Sequence, residues 1–125
     1  MKLLDTSVAI DHLRGVPVAV ELLKRHIDEG QALVASELMR FELLAGARPS
    51  ENDALEHFSS SLIWLAVDEE IARTAGALAR KHRKAHSGID GIDYMIAATA
   101  IVVDADLLTM NVRHFPMFEG LTAPY

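Results

Sequence analysis

Residues 1–15, MKLLDTSVAIDHLRG, place an acid directly after a short apolar run. Lys2–Leu4 is predicted to be a buried strand, and Ser7–Leu13 a helix that stops near Gly15. A strand in the middle of a parallel sheet is usually apolar to its end, so Asp5 at that end needs an explanation. It either helps to start the helix or forms half of a metal site.

The remaining chain repeats this order of strand and helix, without an internal repeat or a long linker. Its predicted strands are continuous apolar runs, which is typical of a parallel sheet covered by helices on both faces. The predicted fold class is therefore α/β with a central parallel sheet of four strands, and the short tail is a candidate for a fifth. The further strands are predicted at Ala32–Ala35, Leu62–Val67 and Leu107–Met110, and the further helices at Val18–Ile27, from the cap Ser36 to about Ala47, from the cap Ser50 to Ser59, at Glu69–Ala85 after the cap Asp68, and at Ile92–Val103 after the cap Asp90.

Composition limits the classes of function. The chain has 125 residues, which predicts one domain, 1–125, with a core large enough to fold without disulfides or a structural metal. It has no cysteine, which excludes disulfides and thiolate sites and fits a reducing compartment. Its longest apolar run, Met95–Val103, is far shorter than the roughly 20 residues of a membrane span, and Asp5 interrupts any secretory signal. We therefore expect a soluble cytoplasmic protein without a membrane partner.

The formal charge of −6 is unfavourable for a protein that binds nucleic acid, because phosphate backbones favour basic surfaces. That net charge is misleading if several acids are concentrated in one site that a metal neutralises. Cations are then free to lie elsewhere on the surface.

Three acids have unusually apolar surroundings in the sequence. Ligands of parallel α/β sheets bind at the carboxyl ends of the strands, where Asp5 lies. Glu42, in SELMRFELLAGA, lies beside the apolar stripe of its helix, and Asp93, in GIDYMIAATA, lies on the inward side of the most apolar helix. A lone buried carboxylate is costly, and that cost falls if several acids share a cation. Oxygen ligands suit Mg²⁺ or Mn²⁺.

Each acid also has a purely structural interpretation. Asp5 caps the first helix, Glu42 is a solvated helix residue, or Asp93 pairs with Asp90 in a helix cap. We favour Asp90 as the cap and Asp93 as the site acid. Asp106 begins the fourth strand and is expected at the opposite edge of the sheet, so it is a poor candidate.

Four segments, taken in order, resemble the successive motifs of PIN-domain ribonucleases, and most of all the VapC-type toxins of type II toxin–antitoxin (VapBC) pairs. The resemblance extends from Lys2 to about Phe115. The segments are LLDTSVAI (3–10), ELMRFELLAGA (37–47), IDYMIAATAI (92–101) and LLTMNVRHF (107–115).

That resemblance implies a three-layer α/β/α fold and cleavage of RNA by a water activated with Mg²⁺ or Mn²⁺. The three acids of the family fall on Asp5, Glu42 and Asp93, and a small hydroxyl residue falls on Thr6. Many members carry a further acid where this chain has Asn111, whose carbonyl oxygen is a weaker metal ligand, so a second metal is in doubt. The resemblance also implies a homodimer, a cognate VapB-type antitoxin, and transfer or ribosomal RNA as substrate.

Several residues have open roles at this stage. Thr109, Arg113 and His114 are candidates for contacting the metal ligands or the substrate phosphate, and a surface role is equally open for the last two. The basic segment Arg80–Lys84 either binds RNA or complements the end of a helix. Two rival functions remain: a catalytically weakened module that binds RNA or antitoxin, because of Asn111, and a receiver-type signalling domain. The receiver lacks support, because Asp5 has no acidic neighbour and no lysine follows Lys84.

Overall fold

The computed structural model describes residues 1–125, which form one parallel sheet and six helices. Each element follows the apolar runs and caps of the sequence. The strands are β1 Lys2–Leu4, β2 Leu33–Ser36, β3 Ile63–Leu65 and β4 Asp106–Leu108. The helices are α1 Thr6–Leu13, α2 Pro17–Asp28, α3 Glu37–Gly46, α4 Asn52–Ser59, α5 Glu69–His82 and α6 Gly91–Val102, with short 3₁₀ turns at Pro49–Glu51 and Val112–His114.

The sheet has the strand order β3-β2-β1-β4, and every pair is parallel. Neighbouring side chains of β1 point to opposite faces, so Leu4 and Leu3 enter different cores. Leu4 lies in a cluster with buried residues of α1, α2, α3 and α4. Leu3 lies in a cluster with α6 and Phe115, and α5 packs outside α6. The predicted three-layer α/β/α arrangement is confirmed.

Parallel strands place all four carboxyl ends at one edge of the sheet. At this edge α1 follows β1 and α3 follows β2 without a linker. Asp106 lies at the other edge, where its carboxylate meets Lys2 Nζ at 2.8 Å. The expected placement of Asp106 away from the site is therefore confirmed.

The helix caps inferred at Ser36, Asp68 and Asp90 are confirmed, because each side chain accepts a backbone hydrogen bond from the first turn of its helix. The cap at Ser50 was wrong. Proline at position 49 starts a 3₁₀ turn, and the Glu51 carboxylate accepts from the Arg48 N–H at 2.9 Å instead.

A fifth strand is absent, and the sheet has four. After β4 the chain turns at Val112–His114 and buries Phe115, so it leaves the plane of the sheet. The tail ends against α1, where the Tyr125 hydroxyl donates to Asp11 at 2.7 Å. None of the helices combines the length and the apolar character that crossing a lipid bilayer demands.

Candidate metal centre

Asp5 is a buried carboxylate, 5% exposed, at the carboxyl end of β1. Its Oδ2 atom accepts hydrogen bonds from Thr109 Oγ1 at 2.7 Å and Ser7 Oγ at 3.0 Å. Asp5 precedes α1, but its side chain makes no capping hydrogen bond. Its Oδ1 atom accepts no hydrogen bond from the protein. The carboxylate is therefore oriented by two hydroxyl groups and keeps one oxygen for another ligand.

Those hydroxyl groups join the two ends of the sequence. Thr109 is fully buried, and its Oγ1 also accepts from the Asn111 N–H at 3.0 Å. Ser7 Oγ accepts from the Met110 N–H at 3.1 Å. The turn after β4 is thereby fixed against the start of α1.

Glu42 is half-buried on α3 and faces the first residues of α1. Its Oε1 atom accepts a hydrogen bond from Thr6 Oγ1 at 2.7 Å. Because Thr6 directly follows Asp5, this bond holds the second acid beside the first. The interpretation of Glu42 as a solvated helix residue is not supported.

Asp93 lies in the first turn of α6. Its backbone N–H donates to the cap Asp90, so its own carboxylate is not used in the cap. One carboxylate oxygen lies 3.2 Å from His114 Nδ1. Burial first, and then the charges of Asp90 and Asp5, raise the pKa of Asp93 to about 6 against the opposing effect of His114. Asp93 therefore lies at the start of α6, beside the turn after β4 that carries His114.

The remaining residues of the last motif differ in placement. Asn111 is exposed, and its side chain makes no hydrogen bond with the protein. Arg113 is also exposed, whereas His114 meets Asp93 as described. Of this motif, Thr109 and His114 contact the acids directly.

Comparison with known proteins places this geometry in a family. The family model described as the PIN domain matches residues 2–117. The chain belongs to the PIN-domain family. The receiver-type alternative is therefore excluded.

Two relatives of this PIN domain come from Mycobacterium tuberculosis. Ribonuclease VapC19 is 62% identical over 125 residues, which is the full length of both chains. Ribonuclease VapC10 is 42% identical over 125 residues, covering 100% of this chain and 93% of the relative. Among solved structures, a toxin–antitoxin complex from Klebsiella pneumoniae matches with a TM-score of 0.80 at 23% identity, covering 100% of this chain and 98% of that chain. At that identity the structural match supports the fold alone.

The acids of this PIN domain fit a hydrated cation. No three Asp, Glu or His side chains lie close enough together to enclose a metal ion directly. Magnesium, however, usually keeps several waters and binds only one or two carboxylates. Such an ion would bind the free oxygen of Asp5. It would also favour the charged form of Asp93, whose pKa is raised by burial. The donor set is all oxygen, which suits a hard divalent cation.

Ser7 was missed by reasoning from the sequence. A signal was present, because two hydroxyl residues follow Asp5 directly, but only Thr6 was singled out. In the PIN domain the two face different acids: Thr6 donates to Glu42 and Ser7 to Asp5. Consecutive residues of a helix point in different directions, so a pair of hydroxyls can serve two partners.

Proposed function

We propose that this chain is a single PIN domain, 1–125, that cleaves RNA as a divalent-metal-dependent endoribonuclease. The observation that carries the proposal is the orientation by neighbouring side chains of three acids, at the start of α1, on α3 and at the start of α6. Hydroxyl groups hold Asp5 and Glu42, and His114 meets Asp93. The ribonuclease names of two relatives that match nearly all of their own length support the same reaction.

In this proposal Asp5, Glu42 and Asp93 hold Mg²⁺ or Mn²⁺, with the Asn111 carbonyl as a weaker ligand. When bound, such an ion polarises a phosphodiester oxygen and lowers the pKa of a water. Thr109 and Ser7 fix the rotamer of Asp5, and Thr6 fixes that of Glu42. The residues therefore supply orientation before the ion arrives, which is the arrangement that catalytic carboxylates require.

The proposed biological role is that of a toxin inhibited by a cognate VapB-type antitoxin. The VapC names of the two relatives support it. Cleavage of transfer or ribosomal RNA would inhibit translation and growth. We also propose a homodimer in a cytoplasmic setting.

The test is cleavage by the purified chain, free of antitoxin, with total cellular RNA as substrate. We expect new RNA ends with Mn²⁺ and none with EDTA, and the same ends in cellular RNA after brief expression. Asp5→Asn should produce neither. Metal-independent ends, or equal ends from Asp5→Asn, would contradict the proposed reaction.

A weakened binding module is the second candidate, because Asn111 is neutral and exposed where many family members have an acid. That candidate predicts RNA binding or antitoxin binding by the parent chain without metal-dependent cleavage. The same cleavage assay separates the two.

A further inference from the structure

Arg80, Lys81, Arg83 and Lys84 form a basic segment that the acidic site does not use. It spans the last turn of α5 and the start of the connection to α6. All four side chains are exposed. None lies within ion-pair distance of a carboxylate, whereas Lys2, Lys24, Arg40 and Arg73 are paired. The other unpaired cations, Arg14, Arg25, Arg48 and Arg113, are single residues spread along the chain, so the segment is distinguished by its clustering.

The sequence around this segment contains no compensating charge. No Asp or Glu occurs between Glu70 and Asp90, although the chain carries 18 acids and a formal charge of −6. Complementing the end of α5 does not account for all four cations, because that effect fades beyond the last turn and Lys84 lies outside the helix. The segment is a local positive surface on an acidic protein.

Ala79, one residue before this segment, lines one cavity with Gly91 at the start of α6 and Leu38 at the start of α3, which brings the segment towards the edge of the sheet that carries the acids. The connection between α5 and α6 has eight residues, 83–90. It is compact, since His86 N–H donates to the His82 carbonyl and Ile89 N–H to the His86 carbonyl. It ends at Asp90, the cap of α6, three residues before Asp93. The cations thus lie near the end of α6 that carries Asp93.

We propose that the basic segment Arg80–Lys84 holds the phosphate backbone of the RNA substrate beside the acidic site. The inference rests on the proposed ribonuclease function. The acids repel a polyanion except at the metal, so flanking phosphates need cations nearby, and this unpaired group supplies them at the correct edge. Contacts of this kind position the strand without selecting its sequence.

The experiment measures how strongly salt weakens RNA binding. The probe is a fluorescein-labelled oligouridylate of about 20 nucleotides, bound to the full chain in EDTA so that no metal-dependent cleavage consumes it. Each phosphate contact to a single strand contributes about 0.7 to the slope of log affinity against log salt. The variant Arg83→Gln/Lys84→Gln should therefore lower that slope by about 1.4, which between 50 and 200 mM salt is roughly a sevenfold smaller loss of affinity.

The matched control is Lys24→Gln/Arg25→Gln, which removes the same charge from α2. The end of α2 leads into the start of β2, so these cations lie at the opposite edge. The control should keep the slope of the parent. The exchange Arg83→Lys/Lys84→Arg keeps both charges and should restore the slope, and thermal melting verifies that each variant is folded.

Three results would overturn the proposal: an unchanged slope in Arg83→Gln/Lys84→Gln, an equal decrease in the control, or an unchanged RNA slope with weakened antitoxin binding. The last would assign the segment to an acidic protein partner. Cleavage of cellular RNA by the parent with Mn²⁺ is scored separately. If the parent cleaves RNA but the slope of the variant is unchanged, only the proposed binding surface is contradicted. If the slope is lowered but the parent does not cleave RNA, only the proposed ribonuclease function is contradicted.

Discussion

Asp5 combines deep burial with two hydroxyl donors on one oxygen and none on the other. Buried carboxylates are normally satisfied on both oxygens or paired with a cation. The free oxygen of Asp5 is not among the fully buried atoms that lack a partner, so it is open to water or to a ligand, which is the local reason to place a metal there. Thr109, itself fully buried, donates its hydroxyl hydrogen to this carboxylate at 2.7 Å and lies 3.4 Å from the Ser7 hydroxyl.

Asp5→Asn should abolish RNA cleavage while the chain stays folded, because the amide removes one negative charge from the metal ligand set. The measurement is the single-turnover cleavage rate with Mn²⁺, together with far-UV circular dichroism. Asp106→Asn is the control: it loses only the ion pair with Lys2 at the opposite edge and should cleave like the parent. If Asp106 proved essential and Asp5 did not, the active site would lie at the opposite edge of the sheet, and the assignment of Asp5 would be wrong.

Asp93 should make the metal-free protein less stable as the pH rises from about 4 to about 6. Its pKa is raised from 3.8 to about 6 by burial, and then by the charges of Asp90 and Asp5. The folded state therefore holds the proton more tightly than the unfolded chain, and the free energy of unfolding falls across that window.

Asp93→Asn should remove this dependence and raise stability at pH 7 in EDTA by at most about 3 kcal/mol. Urea unfolding of both proteins between pH 4 and 7 measures the difference. If the free energy of unfolding changed equally with pH in variant and parent, folding would not raise the pKa of Asp93.

Asn111→Ala should slow cleavage far less than Asp5→Asn does. A neutral ligand or hydrogen bond contributes about 0.5–1.5 kcal/mol, or up to about tenfold in rate. Asn111→Asp should tighten Mn²⁺ binding by adding a fourth charge. Single-turnover rates and metal titrations test both, and full activity in the first with unchanged affinity in the second would exclude Asn111 from the site.

At the scale of elements, α3 carries Glu42 and begins at a buried cap. Ser36 is fully buried, and its Oγ accepts from the Leu38 N–H at 3.1 Å. Ser36→Ala should cost about 1 kcal/mol, which lowers the melting temperature by about 3–6 °C. Ser87→Ala, in an exposed turn, is the control and should melt like the parent. Equal melting of both variants would contradict the role of the cap.

The order and type of the elements could be predicted from apolar runs and caps, but their ends could not. β3 was expected over Leu62–Val67 and spans only Ile63–Leu65. It is an edge strand that pairs with β2 alone, and Val67 packs instead against the α5–α6 cluster. An apolar run does not say whether a residue pairs in a sheet, packs under a helix or stays exposed, as Ile63 does in β3.

The candidate site could likewise be predicted only in part from the sequence. The three acids could be inferred singly from their apolar surroundings. Their connections could not, because the contact of His114 with Asp93 depends on where the turn after β4 directs the chain. The role of Ser7 likewise depends on how the first turn of α1 faces back to Asp5.

At the scale of the whole molecule, repulsion among the site carboxylates should be relieved by a cation. Mn²⁺ should raise the melting temperature of the antitoxin-free chain, since a ligand at a hundredfold excess over its dissociation constant stabilises by about 2.7 kcal/mol, or roughly 10 °C here. Asp106→Asn should keep this shift and Asp5→Asn should lose it. A melting temperature that does not respond to millimolar Mn²⁺ would count against a formed site.

The pairing of β1 with β4 has a consequence for biosynthesis. The hydrogen bond from Thr109 to Asp5 joins residues 104 positions apart. A ribosome that adds about 5–20 residues per second synthesises Asp5 several seconds before Thr109. During elongation the nascent polypeptide therefore lacks the hydrogen bond that orients Asp5, and a translation product interrupted before β4 never forms it. For the proposed toxin, activity would begin only with the completed chain, which would give the proposed antitoxin the time of one round of synthesis in which to meet it.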